Sequence, residues 1–345
     1  MRKSLLGGAV IAASAIIAPS LALAKPDAET AFIFNTFSFL IHGVLVMFMA
    51  AGFAMLEAGL VRSKNTATIC LKNMALYAVA CLMFYIIGYN LMYTDVSGYI
   101  GSFSLFYNTS GVEMALIGAG ADAATPEQVA AVVGNNYSVM SDWFFQVVFV
   151  ATAASVVSGT VAERVRSWPF LIFVAILTGV LYPIIGSWTW GGGWLSQMGF
   201  SDFAGSTIVH SVGGWAALSG ALILGARRGK FGAQGQVHPF PGSNLTLATI
   251  GAFILWFGWF GFNGGSQLAL GSALDVSAIA IVYVNTNLAA AAGVVTAMIL
   301  TQLLYKKMDL SMALNGALAG LVSITAGPDL QNHLLAIIVG AIGAT

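Results

Sequence analysis

Nine long apolar runs, separated mostly by short loops, constrain this chain of 345 residues more than any other feature of its sequence. A helix of about 20 apolar residues is long enough to cross the hydrocarbon core of a bilayer. The composition agrees, because 58% of the residues are hydrophobic and only 8% are charged, whereas about 25% are charged in soluble proteins. The sequence therefore predicts an all-α, polytopic membrane protein. The runs lie at residues 31–59, 67–93, 140–162, 168–188, 204–226, 245–267, 277–304, 310–327 and 331–345.

Net charge and glycine content narrow the class further. The 13 lysines and arginines balance the 13 aspartates and glutamates, so the chain lacks the basic character of a nucleic-acid-binding protein. The 40 glycines lie largely inside the apolar runs, where small residues let helix backbones approach closely in a membrane. Both observations favour a bundle of closely packed membrane helices.

The first 24 residues have the pattern of a secretory signal peptide. Arg2 and Lys3 precede an apolar stretch at residues 4–18, and the small residues Ala22 and Ala24 form an A-x-A cleavage site. We predict a signal peptide at residues 1–24 and a membrane domain at residues 25–345, with an uncleaved first helix as the alternative. Cleavage would place the mature N-terminus on the periplasmic side of a bacterial inner membrane.

The distribution of basic residues agrees with that orientation. Cytoplasmic loops of membrane proteins are enriched in lysine and arginine, and an outside N-terminus makes the loops after runs 1, 3, 5 and 7 cytoplasmic. Apart from Lys25, the predicted outside loops contain no lysine or arginine, and we expect Lys72, inside run 2, to extend its amine to the cytoplasmic interface. The basic residues of the cytoplasmic loops are Arg62, Lys64, Arg164, Arg166, Arg227, Arg228, Lys230, Lys306 and Lys307.

The single long loop, at residues 94–139, lies on the predicted outer side and is acidic. It contains Asp95, Glu113, Asp122 and Glu127 and no basic residue. An acidic mouth would weakly concentrate cations, although salt screens exposed charges. We interpret these carboxylates as solvated loop residues.

Ionisable residues inside a membrane are costly and therefore mark candidate functional positions. His210 follows Asp202 by eight residues, which places it about 12 Å along the fifth run, near the middle of the membrane. Asp202 is expected to cap the outer end of that helix by accepting backbone N–H groups. His42 has the simpler interpretation of a hydrogen bond to a neighbouring helix. For His210, these grounds alone leave two roles open: packing between helices and lining a pore.

Six segments together resemble the Amt/Mep/Rh ammonium transporter family, most closely its bacterial Amt type. Residues 202–214, which include His210, resemble the signature segment of the family. The other five match the exits of the first, third and fourth helices, the sixth helix and the eighth helix, in the family's order and spacing. They lie at residues 52–65, 162–164, 190–193, 258–266 and 309–320.

The resemblance implies an ammonium-transporter helix bundle with eleven spans in an inverted-repeat architecture. About nine spans are present here, and the chain stops at Thr345 within the ninth. No position matches the second pore histidine of the family, which lies on a later helix. We therefore expect the sequence to be C-terminally incomplete.

The resemblance also implies the residues of a transport site. The four residues of the expected ammonium site are Phe145, Phe149, Trp190 and Ser266. Phe149 and Phe262 match the pair of gate rings, and His210 matches the first pore histidine. Asp202 is expected to stabilise the site electrostatically without touching the substrate. No catalytic residue, metal ligand or cofactor is expected.

The function implied is ammonium uptake by a transporter rather than an enzyme. NH4+ is captured outside and loses its proton, and NH3 crosses a hydrophobic, histidine-lined pore while the proton follows separately. Alternatives are an ammonium sensor whose signalling domain follows residue 345, and a Rhesus-type channel for NH3 or CO2. A haem protein with His42 and His210 as axial ligands is a third. The family implies a homotrimer, with a PII-type regulator at the cytoplasmic face.

Overall fold

The computed structural model describes residues 26–120 and 123–345, and within these ranges every regular element is a helix. In this described part of the chain, seven helices are long and apolar enough to cross a membrane, and Leu310–Ile324 and His333–Ala344 are shorter apolar helices. The nine runs all form helices, so the prediction of an all-α, polytopic membrane protein is confirmed. The predicted signal peptide lies outside the described residues. The helices are α1 Ala28–Leu60, α2 Ser63–Tyr93, α3 Gly111–Ala119, α4 Pro126–Val133, α5 Val139–Val161, α6 Ser167–Ser187, α7 Trp194–Gln197, α8 Ser206–Leu224, α9 Leu245–Gly265, α10 Ala273–Tyr305, α11 Leu310–Ile324 and α12 His333–Ala344.

Three membrane helices contain a widened π-helical turn. These turns lie at Phe84–Gly88 in α2, Leu177–Leu181 in α6 and Ser206–Ser211 at the start of α8. A π-helical turn breaks the regular i to i−4 hydrogen bonding, and such turns occur frequently at functional sites. The third turn contains His210, so the local backbone there departs from the regular helix that the sequence predicts.

Glycines allow α1 and α9 to pack with their backbones in close approach. A Cβ atom on Gly52 would lie 3.0 Å from the Gly251 carbonyl oxygen, and one on Gly251 would overlap the Leu56 backbone nitrogen. Side chains larger than hydrogen therefore do not fit where these helices cross. The helix α5, which packs against both α1 and α8, is buried along most of its length. These contacts build the centre of the bundle, where α1, α5, α8 and α9 meet.

The long outer loop contains a buried carboxylate, which corrects one interpretation from the sequence. Glu113, on α3, is 4% exposed. One of its oxygens accepts a hydrogen bond from the Val139 backbone N–H at 2.8 Å, and the other accepts one from the Ser138 hydroxyl at 3.3 Å. Glu113 is therefore not a solvated loop residue, because its charge offsets the free N–H groups at the start of α5.

One glutamate joins three of the loops that the sequence places on the cytoplasmic side. An oxygen of Glu163 lies 2.9 Å from the Arg62 Nε atom, and the other lies 3.2 Å from an Arg227 guanidinium nitrogen. The Asn65 amide also donates to it. Its side chain has no exposed surface. Burial raises the pKa of Glu163, but the hydrogen bonds from Arg62 and Asn65 and the charge of Arg227 outweigh it, so the pKa falls below its ordinary 4.5.

A lowered pKa predicts how this cluster responds to acid. The ionised carboxylate stabilises the fold fully above the unfolded-state pKa of about 4.5, and its contribution is lost as the pH falls through the lower folded-state pKa. We expect Glu163→Gln to lower the unfolding temperature in detergent at pH 7 and to have a smaller effect at pH 3.5. Glu29→Gln, at an exposed carboxylate, is the matched control. An equal effect of Glu163→Gln at both pH values would contradict the assignment.

Candidate functional site

A cavity of about 500 Å³ lies on the predicted outer side of the bundle. Five residues that the sequence singles out meet at this outer cavity: three aromatic residues, one serine and Asp202. The carboxylate of Asp142 and the phenol rings of three tyrosines complete much of its wall. The five residues predicted from the sequence that line this cavity are Phe145, Phe149, Trp190, Ser266 and Asp202.

Three aromatic rings form one side of the outer cavity. The ring centroids of Phe145 and Phe149 are 4.7 Å apart, and those of Phe149 and Trp190 are 5.9 Å apart in an edge-to-face arrangement. The Trp190 indole N–H donates to the Asp202 backbone carbonyl at 2.9 Å, which fixes the orientation of the indole. Aromatic faces carry partial negative charge and attract cations. The arrangement is suited to holding a small cation against the rings.

Ser266 supplies a hydrogen-bond acceptor at the same cavity. Its hydroxyl donates to the backbone carbonyl of Phe262, one turn earlier in α9, at 2.8 Å. A hydroxyl has one donor hydrogen and two acceptor lone pairs. Because the hydrogen is committed to the helix, the oxygen is left to accept a hydrogen bond, as a cation with N–H groups would require.

Phe149 and Phe262 form a stacked pair of rings, called here the ring pair, beneath the outer cavity. Their centroids are 4.1 Å apart and their planes meet at 30°. Both side chains are almost completely buried. The two gate residues named from the sequence are therefore in direct contact, and the ring pair closes the inner side of the outer cavity.

His210 lies on the inner side of the ring pair. Its imidazole is stacked on the Trp259 indole at 4.9 Å between centroids and lies 5.2 Å from the Phe262 ring. Within the described residues, its Nε2 atom has no hydrogen-bond partner although the residue is only 6% exposed. His210 borders a second cavity of about 410 Å³, the inner cavity. The histidine therefore stands between the ring pair and the inner cavity.

Asp202 holds the start of α8 through four hydrogen bonds. One carboxylate oxygen accepts from the backbone N–H groups of Gly205 and Ser206, and the other accepts from those of Thr207 and Ile208, at 2.8–3.1 Å. Burial raises the pKa of Asp202, and the four donors oppose that rise. The carboxylate thus fixes the helical turn that carries His210, through backbone contacts.

His42 makes the helix-to-helix contact that the sequence suggests. Its Nε2 atom lies 3.1 Å from the Tyr283 hydroxyl on α10, and its Nδ1 atom lies 2.9 Å from the Ser38 carbonyl oxygen. Both ring nitrogens are engaged, so the geometry does not favour His42 as an axial haem ligand. Among the described residues, no three histidine, cysteine or acidic side chains are placed to hold a metal ion.

Asp142 is a buried carboxylate at the outer cavity that the sequence reasoning missed. It accepts hydrogen bonds from the Tyr89 hydroxyl and from the Gln146 amide. Its position at the start of the third apolar run was a usable signal, since an acidic residue inside a membrane segment marks a candidate site.

Glu57 and Lys72 form a buried ion pair, which corrects the prediction for Lys72. The lysine is 4% exposed and does not extend to the interface. Its Nζ atom lies 3.4 Å from a Glu57 oxygen and donates to the Ser158 backbone carbonyl at 2.7 Å. The pairing keeps the amine inside the bundle, because a nearby carboxylate offsets the cost of burying it. Glu57, on the opposing helix, was also missed.

The structure is a bundle of apolar helices with two cavities, which lie on either side of the ring pair and His210. A model of the Ammonium Transporter Family matches residues 37–345. The chain therefore belongs to the ammonium transporter family. It is a multi-pass membrane protein.

Two relatives of known sequence support the same family assignment. Ammonium transporter Amt2 of Archaeoglobus fulgidus is 47% identical over 298 residues, which cover 83% of this chain and 58% of the relative. A putative ammonium transporter of Synechocystis is 41% identical over 322 residues, covering 91% of this chain and 68% of the relative. The chain thus spans between half and two thirds of the archaeal relative's length.

Solved structures show the same fold. A protein described as a sensor Amt protein superposes with a TM-score of 0.79 at 35% identity, covering 90% of this chain and 73% of that protein. Candida albicans Mep2 superposes with a TM-score of 0.76 at 29% identity, covering 92% of this chain and 66% of Mep2.

The free acceptor of Ser266 leads to a prediction for cation capture. If the cation held in the outer cavity is ammonium, we expect Ser266→Ala to raise the NH4+ concentration at half-maximal current about tenfold. A hydrogen bond to a charged group contributes about 1.5–3 kcal/mol, and each 1.4 kcal/mol is about tenfold in affinity. The measurement is the concentration dependence of NH4+-induced current in proteoliposomes.

Ser277→Ala is the matched control for this prediction. Ser277 makes the same hydroxyl-to-carbonyl bond within α10, to Ala273 at 2.7 Å, but it is exposed on the helix surface. The control should leave the half-maximal concentration unchanged. An equal shift in both variants, or none in Ser266→Ala, would remove Ser266 from the site.

Proposed function

We propose that the protein is an ammonium transporter that captures NH4+ in the outer cavity and passes nitrogen inward as NH3. The observation that carries the proposal is the order of the groups from the outer cavity to the inner cavity. A cation-attracting cage of Trp190, Phe149 and Ser266 is followed by the ring pair, and the ring pair is followed by His210, whose Nε2 atom has no partner in the described part of the chain.

Capture in the outer cavity draws on two attractions. The Trp190 and Phe149 rings attract a cation with about 0.5–2 kcal/mol, and the Ser266 oxygen accepts one N–H of the ion. A potassium ion has no directional N–H to donate, and the single Ser266 oxygen replaces only a small part of the oxygen shell that hydration gives it. The site is therefore expected to select ammonium from potassium by hydrogen bonding rather than by charge.

Passage beyond the cage requires the ion to give up its charge. The ring pair is apolar and closed, and an ion moved into such surroundings without partners meets a large desolvation cost. Neutral NH3 avoids that cost, so the proton separates from it and moves on separately. His210 accepts or donates a hydrogen bond behind the ring pair, and the proton has a candidate carrier in the imidazole.

The cation-attracting cage also favours ammonium transport over the alternative functions. A channel for neutral NH3 or CO2 needs neither a ring cage nor a free acceptor at its entrance. A sensor with the same fold is represented among the solved structures, but both sequence relatives described above are named as ammonium transporters. Transport is therefore the function that the site and the relatives support best.

The proposal extends to location and assembly. Cleavage of residues 1–24 would leave a periplasmic N-terminus in a bacterial inner membrane, as the basic loops favour. The surface of α1 is apolar, with Phe37, Leu40 and Val44 exposed, which suits contact with lipid or with neighbouring subunits of a homotrimer. A PII-type regulator would dock at the cytoplasmic face.

Removing the pore histidine tests the proposal. With purified protein in liposomes on a solid-supported membrane, an NH4+ pulse should give a sustained, saturable current and a K+ pulse none. We expect His210→Ala to lower the NH4+ current at least tenfold, because the position behind the ring pair then has no polar partner for the substrate. His238→Ala, at an exposed loop histidine, should match the unmodified protein.

Two results would contradict the proposal. An unmodified protein that carries no NH4+ current would exclude electrogenic ammonium transport. An undiminished current in His210→Ala would exclude the histidine from the pathway while leaving transport itself established.

A further inference from the structure

The outer cavity contains a carboxylate to which the transport pathway described above gives no role. Asp142, in the first turn of α5, lines this cavity and is only 8% exposed. Residues three, four and seven positions apart lie on one face of a helix. Asp142 therefore shares a face of α5 with Phe149, which belongs to the cation-attracting cage, and it lies two turns nearer the predicted outer end.

The hydrogen bonds of Asp142 favour a negative charge. Its Oδ2 atom accepts a hydrogen bond from the Tyr89 hydroxyl, and its Oδ1 atom accepts one from the Gln146 amide at 3.2 Å. Donors that face a carboxyl group stabilise its ionised form. The Tyr89 ring packs in turn on the Tyr107 ring, with centroids 4.1 Å apart. The carboxylate thus has a fixed position on the wall of the cavity.

No basic side chain offsets this charge in the described part of the chain. The three ion pairs found there involve Glu57 and Glu163, and the described residues that line the outer cavity include no lysine, arginine or histidine. Both hydrogen-bond donors to Asp142 are neutral side chains. Because a buried charge normally has a partner of opposite sign, a cation in the outer cavity would supply the charge that the protein does not.

Asp202, the other carboxylate of the outer cavity, differs in this respect. Four backbone N–H groups at the start of α8 donate hydrogen bonds to it. Such groups form the positive end of a helix dipole, which is equivalent to about half a unit charge. The protein therefore balances much of the charge of Asp202, whereas the charge of Asp142 is left for the contents of the cavity.

We propose that Asp142 is the fixed counter-charge for the cation held in the outer cavity, and that it raises the affinity for ammonium through space without contacting the ion. This inference rests on the proposed function, because it takes ammonium as the cation. The seven positions from Asp142 to Phe149 correspond to about 10 Å along the helix. At that distance, with an effective dielectric constant of about 20, one unit charge changes the affinity for a monovalent cation roughly tenfold.

The counter-charge and the cage then have different tasks. A fixed charge attracts every monovalent cation alike, whereas the Ser266 oxygen accepts a hydrogen bond from an ion with N–H groups. Asp142 therefore sets how tightly a cation is held, and Ser266 contributes to the choice of cation. Loss of the charge should weaken capture of NH4+ and should still leave a K+ pulse without current.

Two variants of Asp142 separate its charge from its contacts. Asp142→Asn removes the charge and keeps the size and a hydrogen-bond acceptor, whereas Asp142→Glu keeps the charge and changes the size. In proteoliposomes, we expect Asp142→Asn to raise the NH4+ concentration at half-maximal current at least about fivefold, with the maximal current within about twofold. Asp142→Glu should stay closer to the unmodified protein. A role in hydrogen bonding and packing alone predicts the reverse order, which would overturn the proposal.

Asp329→Asn is the matched control for the loss of an outer charge. Asp329 lies in the predicted outer loop after α11, is exposed, and does not line the outer cavity. Salt screens an exposed charge, so the control should leave the half-maximal concentration unchanged. Equal shifts in Asp142→Asn and Asp329→Asn would show that the position in the cavity is irrelevant, and they would also overturn the counter-charge.

Equilibrium binding keeps this inference distinct from the proposed function. Titration calorimetry of NH4Cl into the detergent-solubilised protein, with choline chloride as the blank, measures capture without transport. We expect the dissociation constant to rise at least about fivefold in Asp142→Asn, at an unfolding temperature close to that of the unmodified protein. Unchanged binding in this variant would overturn the counter-charge while transport stands. Weakened binding, in a protein whose unmodified form carries no NH4+ current, would leave the counter-charge and exclude the transport function.

Discussion

The cost of placing charge inside a membrane governs this structure. Every buried ionic group described here is either matched by partners or borders a cavity. Asp202 accepts hydrogen bonds from four backbone N–H groups, and Glu163 pairs with two arginines and accepts a hydrogen bond from an amide. Glu57 is paired with Lys72 and accepts a hydrogen bond from the Ser158 hydroxyl.

The same cost gives the ring pair its importance. Phe149 and Phe262 separate two cavities. The outer cavity carries groups suited to a cation, whereas the apolar contact between the two rings is suited to a neutral molecule. His210 adjoins the contact on its inner side, held there by a turn that Asp202 caps. In the proposed function, this order of polar and apolar zones would separate the recognition of the ion from its passage. A protein built in this way could select for a charged species while admitting only a neutral one.

Much of the fold and of the candidate site could be predicted from the sequence. The features that could not be predicted share one cause. Helix number follows from hydrophobic length alone, and the cage of Trp190 and Ser266 follows from family resemblance, because both are encoded in local runs and motifs. The Glu57 contact to Ser158 joins residues 101 positions apart, and the burial of Glu113 depends on where α3 meets the start of α5. No local pattern encodes such pairings. The π-helical turn around His210 is also invisible to periodicity, since its residues would read equally well as a regular helix.

The membrane potential across liposomes that contain the purified protein tests the central claim most directly. With opposing gradients of NH4+ and K+ across the bilayer, a pathway that recognises ammonium and excludes other ions sets the potential at the Nernst value for ammonium. Changing the K+ gradient at a constant NH4+ gradient should then leave the potential unchanged. A potential that follows the K+ gradient would show that hydrated ions cross the ring pair, and it would contradict the separation of recognition from passage.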